Sequence, residues 1–231
     1  MASTTRTALP VPQVPIPESS RPLFAAINAF VYEYMSHYDN SHDYQHILRV
    51  LSNTNRILQA ELKTNPSATF DTTALFLAAL LHDVGDHKYA KPGEDIENQI
   101  SNVLVEKGAA KEVAEKIQTI VKHVSYTHEV ANPTAVQTVL AKYPELCIVQ
   151  DADRLDAIGA IGIARCFSFG AAKMPDQPMD RAVGHFGEKL YKLKDMMKTR
   201  SGKEMAERRH ETMVQFEKEW DVEASLSFQM P

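Results

Sequence analysis

The stretch "LFLAALLHDVGDHK", residues 75–88, decides how the chain is read. Leu75 to Leu81 form an unbroken apolar run, and a run of this kind between polar flanks reads as a buried helix. It stops on His82 and Asp83, with another carboxylate at Asp86. Such groups cost free energy to bury unless something satisfies them. A core helix that ends on an imidazole and a carboxylate therefore needs a partner for both.

Working outward, the pattern is helix after helix. Asp71 is a plausible N-cap for the apolar helix. Before it, Leu23 to about Tyr38 and residues 43–62 each place apolar side chains on one stripe. After it come Glu94 to Lys107, closed by Gly108, and Lys111 to about Ser125. Asn132 followed by Pro133 is a cap-plus-N1 signature for a helix through Tyr143. Glu145 to Ala172 reads as one long, mostly apolar helix in which Gly159 and Gly162 allow close approach. Residues 173–180 are a loop, and two charged amphipathic helices, 181–198 and 202–224, complete the chain. No alternating strand or hairpin signal appears. The expected fold is all-α, a single-domain helical bundle over residues 23–231. Residues 1–22 hold Pro10, Pro12, Pro15, Pro17 and Pro22 and are expected to be a disordered leader.

Composition removes several functions. A formal net charge of −5 offers no basic field for nucleic acid or an anionic membrane surface. Cys147 and Cys166 lack CxxC spacing, which argues against a thiolate zinc site or a disulfide framework. There is no signal-peptide h-region and no apolar run of membrane-spanning length. The expectation is an intracellular, cytoplasmic protein, with a nuclear location and a homo-oligomer left open.

Ligand-type residues gather in three places. "SHDYQHILRV" (41–50) carries His42, Asp43 and His46; "LLHDVGDHK" carries His82, Asp83, Asp86 and His87; "VQDADRLDAIGAIG" (149–162) puts Asp151, Asp153 and Asp156 inside an otherwise apolar helix. Arg154 alone cannot satisfy three acids. A divalent first-row ion would, since a mixed nitrogen and oxygen set without thiolate suits manganese, iron, cobalt, nickel or zinc. Asp151 and Asp153 lie about 200° apart around a helix, so only one can share the site, and periodicity does not choose.

"HILRV", "LLHDVGD" and "DADRLDAIGAIGIAR", in this order, resemble the HD superfamily of metal-dependent phosphohydrolases, over roughly residues 25–220. The likeness extends to "HFGEKLYKLKDMMKT" (185–199), similar to the small single-domain nucleotide pyrophosphohydrolase branch. It implies one divalent ion, manganese being favoured, held by His46, His82, Asp83 and Asp153. It also implies a water-orienting acid–base role for Asp86 and a small-molecule nucleotide substrate. By charge and position, Lys88, Lys122 and His123 are candidates to meet phosphate oxygens. His185 and Lys189, four apart, are candidates to close the pocket. The rival readings are a 5′-nucleotidase, a di-iron oxygenase drawing on His123 and His128, and a non-enzymatic nucleotide sensor.

Overall fold

The computed structural model describes residues 9–85 and 97–229. Among them are eleven α-helices and no strand, as the sequence pattern requires. The helices are α1 (Arg21–Met35), α2 (Tyr44–Thr64), α3 (Thr72–Leu81), α4 (Gln99–Glu106), α5 (Lys111–Lys122) and α6 (Tyr126–Ala131). They continue with α7 (Pro133–Lys142), α8 (Glu145–Asp156), α9 (Gly159–Lys173), α10 (Asp180–Glu188) and α11 (Arg200–Glu223). Short 3₁₀ turns precede α1 and span Leu190–Met196. No single helix among the described residues is long and apolar enough to cross a membrane.

The apolar run is the centre of the bundle. Every residue of α3 from Ala74 to Leu81 is buried, and α1, α2, α5 and α8 pack around it. Its start is fixed by the Asp71 carboxylate, which accepts from the Ala74 N–H at 3.0 Å. Asp43 caps α2 in the same way, accepting from the His46 N–H at 3.1 Å. Helix α4 closes on Gly108, whose φ of +98° suits the left-handed stop that glycine favours. At α7, Pro133 occupies the first turn as expected, but the Asn132 side chain makes no cap bond.

Three expectations change. The long helix from Glu145 breaks at residues 157–158 into α8 and α9, bent by 68°, with Gly159 at φ +75°. Arg209 of α11 fills the corner, donating to the Leu155 carbonyl and to Asn53 Oδ1. The helix expected over 181–198 is α10 followed by the 3₁₀ turn, because Lys189 departs from helical geometry. The expected solvated leader is packed in part: Val14 and Ile16 are buried in the core. Prolines forbid regular structure there but not extended packing, and the apolar residues between them supply the driving force.

Candidate metal centre

Helix termini build the centre. His46 lies in the first turn of α2, behind the Asp43 cap. His82 is the C-cap of α3, and Asp83 follows in the turn that leaves the core. Asp153 comes from the last turn of α8. The structure brings all four to one point. The Nε2 atoms of His46 and His82 face each other at 3.0 Å. Asp83 reaches them at 3.2 and 3.5 Å, and Asp153 Oδ1 at 3.7 and 3.6 Å.

The other ring nitrogens fix the tautomers. His82 Nδ1 donates to the Ala79 carbonyl at 2.9 Å, and His46 Nδ1 donates to Asp156 Oδ2 at 2.7 Å. With Nδ1 of each ring engaged, the two Nε2 atoms face each other between two carboxylates. Asp83 Oδ2 is a buried oxygen without a hydrogen-bond partner among the described residues. Only a positive charge relieves this arrangement, and His46, His82 and Asp83 form a cluster that could hold a divalent metal.

The electrostatics agree. Burial and the Arg165 charge oppose protonation of His46, but the Asp156 and Asp83 carboxylates outweigh them and raise its pKa. Burial would raise Asp83, yet His82 and His46 hold its carboxyl well below the ordinary range. Asp156 is likewise lowered: bonds from His46 and Arg49 and the Arg165 charge overcome its burial.

Asp151 is elsewhere. Its buried carboxylate accepts from the Lys198 N–H at 2.8 Å, the Thr199 N–H at 2.7 Å and the Thr199 hydroxyl at 2.7 Å. It thus ties α8 to the start of α11. Burial raises its pKa, with these donors acting in the opposite sense. Arg154 pairs with none of the three helix acids by hydrogen bond. It donates to Glu129 at 2.5 Å, which also receives Lys198 Nζ at 2.6 Å and Gln150 at 3.0 Å.

The cluster sits in the wall of a cavity of about 930 Å³. Lys122, singled out for phosphate, and Lys189, singled out to close the pocket, both line it; Lys122 lies 3.8 Å from Glu97, and Lys189 sits over the Tyr126 ring at 5.1 Å. His123 does not line the cavity: its Nδ1 donates to the Thr119 carbonyl, and its ring packs edge-on against His128. His185 also falls outside the lining and pairs with Glu188 at 3.1 Å. The four-residue spacing to Lys189 fails as a shared face because Lys189 lies beyond the end of α10. Asp86 and Lys88 lie outside the described residues.

Sequence reasoning passed over Arg165, which lines the cavity and bonds Asp156, and the pairing of Arg49 with that same carboxylate. A third acid beside the Asp151–Asp153 pair was the signal, since a buried carboxylate must find donors.

A family model for the HD domain matches residues 43–158, the span from the α2 cap to the corner after α8. The chain belongs to the HD domain family. The Bacillus subtilis protein YpgQ is 36% identical over 195 residues, covering 82% of this chain and 88% of its own. The crystal structure of YpgQ in complex with ADP superimposes with a TM-score of 0.66 at 31% identity, over 89% of this chain and 96% of that one. An HD-superfamily hydrolase from Bacillus thuringiensis gives 0.62 at 33% identity, over 85% and 94%. This HD domain is thus similar to solved hydrolases along most of its length.

Proposed function

We propose that this HD domain is a metal-dependent phosphohydrolase acting on nucleotides, specifically a nucleoside triphosphate pyrophosphohydrolase. The observation that carries the reading is the pair of facing imidazole Nε2 atoms between two carboxylates, opening on a cavity also lined by Lys122, Arg165 and Lys189. His46, His82, Asp83 and Asp153 would hold the ion. A bound divalent cation supplies Lewis acidity, lowering the pKa of a water and offsetting charge on a phosphoryl oxygen. Nitrogen and oxygen donors without thiolate suit manganese, iron, cobalt, nickel or zinc, of which the family resemblance favours manganese, and neither cysteine lines the cavity.

The chain's own groups do the rest. Lys122, Lys189 and Arg165, in the lining of the cavity, offer donors to phosphate oxygens. Apolar side chains at Ile100, Val121 and Val124 limit water beside them. The family resemblance assigns Asp86 to accept the proton of the attacking water. A cavity of this volume suits a ligand of nucleotide size, and the ADP complex of YpgQ supports a nucleotide.

The test is product analysis on manganese-loaded protein. One-step formation of a nucleoside monophosphate and pyrophosphate from a triphosphate is expected at the earliest time points. Sequential release of orthophosphate, or turnover of monophosphates alone, would replace the reading with that of a phosphomonoesterase or 5′-nucleotidase.

A further inference from the structure

Asp156, the last residue of α8, has no place in the ligand quartet, yet it is among the most heavily bonded side chains in the bundle. It is 1% exposed. Its Oδ2 accepts from His46 Nδ1 at 2.7 Å, Arg49 Nη2 at 3.1 Å and Arg165 Nη1 at 3.1 Å; its Oδ1 accepts from Arg49 Nε at 2.8 Å. Arginine only donates. Both carboxylate oxygens are therefore committed as acceptors, and the hydrogen on the His46 contact must sit on Nδ1. Three elements, α2, α8 and α9, meet on this one group.

We infer that Asp156 is a positioning residue. It fixes the ring plane of His46 through Nδ1 so that Nε2 is aimed at the His82–Asp83–Asp153 cluster, and the Arg165 contact keeps the carboxylate in place when Arg49 is removed. The inference rests on the reading of His46 as a metal ligand. Groups that hold a ligating imidazole through its other nitrogen contribute on the order of 10- to 100-fold to metal affinity. A simple cross-brace between helices would contribute to stability alone.

Arg49 separates the two roles, because its guanidinium bonds Asp156 and not His46, whose own contact with the carboxylate is separate. Manganese affinity and melting temperature are to be measured on Asp156→Asn and Arg49→Gln. An amide has one acceptor oxygen and brings donors of its own, so it cannot serve all these donors. We expect both variants to melt lower, with only Asp156→Asn weakening manganese binding by on the order of 10- to 100-fold. Equal affinity losses, or none in Asp156→Asn, would overturn the inference.

Should Asp156→Asn fail to fold, the wild-type zinc-loaded protein answers by long-range ¹H–¹⁵N spectroscopy, with His46→Gln for assignment. A solvent-protected hydrogen on His46 Nδ1 is expected, and ligation through Nδ1 would overturn the proposal. His46→Ala distinguishes the levels. If it keeps manganese, the metal reading falls and this inference with it. If it loses manganese while Asp156→Asn keeps it, the inference alone falls.

Discussion

Replacing Gly202 with alanine should destabilise the protein, although alanine is the better helix former. Gly202 sits in the first turn of α11, and its N–H donates to the Thr199 hydroxyl oxygen at 2.9 Å. An added Cβ would collide with Asp151 Oδ2 and lie 2.6 Å from Thr199 Oγ1 and 2.9 Å from Asp151 Cγ. Relief requires moving the buried carboxylate or the helix start. A hydrogen bond to a charged group contributes about 1.5–3 kcal/mol, and an N-cap about 1 kcal/mol. Losing one of each costs about 2.5–4 kcal/mol, against about 1 kcal/mol of helix propensity gained by alanine over glycine. The net loss of about 1.5–3 kcal/mol corresponds to a melting temperature lower by about 3–12 °C at this chain length. Gly184→Ala in α10 is the control: its Cβ would meet nothing within 4 Å, so a gain of about 0.5–1 kcal/mol is expected. Thermal unfolding followed by circular dichroism reads both. Gly202→Ala melting at or above wild type would refute the packing argument.

Three further outcomes follow from the site. Asp153→Ala should empty the centre of manganese, whereas Asp151→Ala should retain the metal and melt lower; metal analysis showing the reverse would exchange the two assignments. With the metal chelated, the raised pKa of His46 contributes stability that is complete below its ordinary value of 6.5 and is lost as pH rises through the folded value. The chelated protein should therefore lose melting temperature as pH rises above 6.5, while the manganese-loaded protein should not, and parallel pH profiles would contradict this. Asp86→Asn should retain metal and substrate affinity but turn over about 10²- to 10⁴-fold more slowly; unchanged turnover with a lowered melting temperature would leave Asp86 no part in the chemistry.

The all-α architecture was legible because α3 has no polar interruption before His82, and the cap at Asp71 carries its own chemistry. The convergence of His46, His82, Asp83 and Asp153 could be anticipated from three helices that each break an apolar pattern. Helical period could not choose between Asp151 and Asp153, since the choice depends on Lys198 and Thr199, more than forty residues away. The corner at 157–158 was hidden for another reason. Its residues are small or apolar, and Gly159, at φ +75°, lies where an added Cβ would press on Arg209, fifty residues away. Val14 and Ile16 were masked by the prolines around them, and His185 was misread because its i+4 partner lies past the end of α10.

That corner sets a limit on how the chain can change. In a straight helix, residues 156 and 165 would stand about 14 Å apart along the axis, yet Arg165 donates to both the backbone and the side-chain oxygens of Asp156. The bend lets one uninterrupted stretch of chain furnish two walls of the same chamber. A single residue inserted between Ala157 and Gly159 would leave Asp153 in register but rotate α9 by about 100°, swinging Arg165 out of the chamber. The spacing across this hinge point is therefore as constrained as the identity of the residues on either side, and length variation should be tolerated in the 173–180 loop but not here.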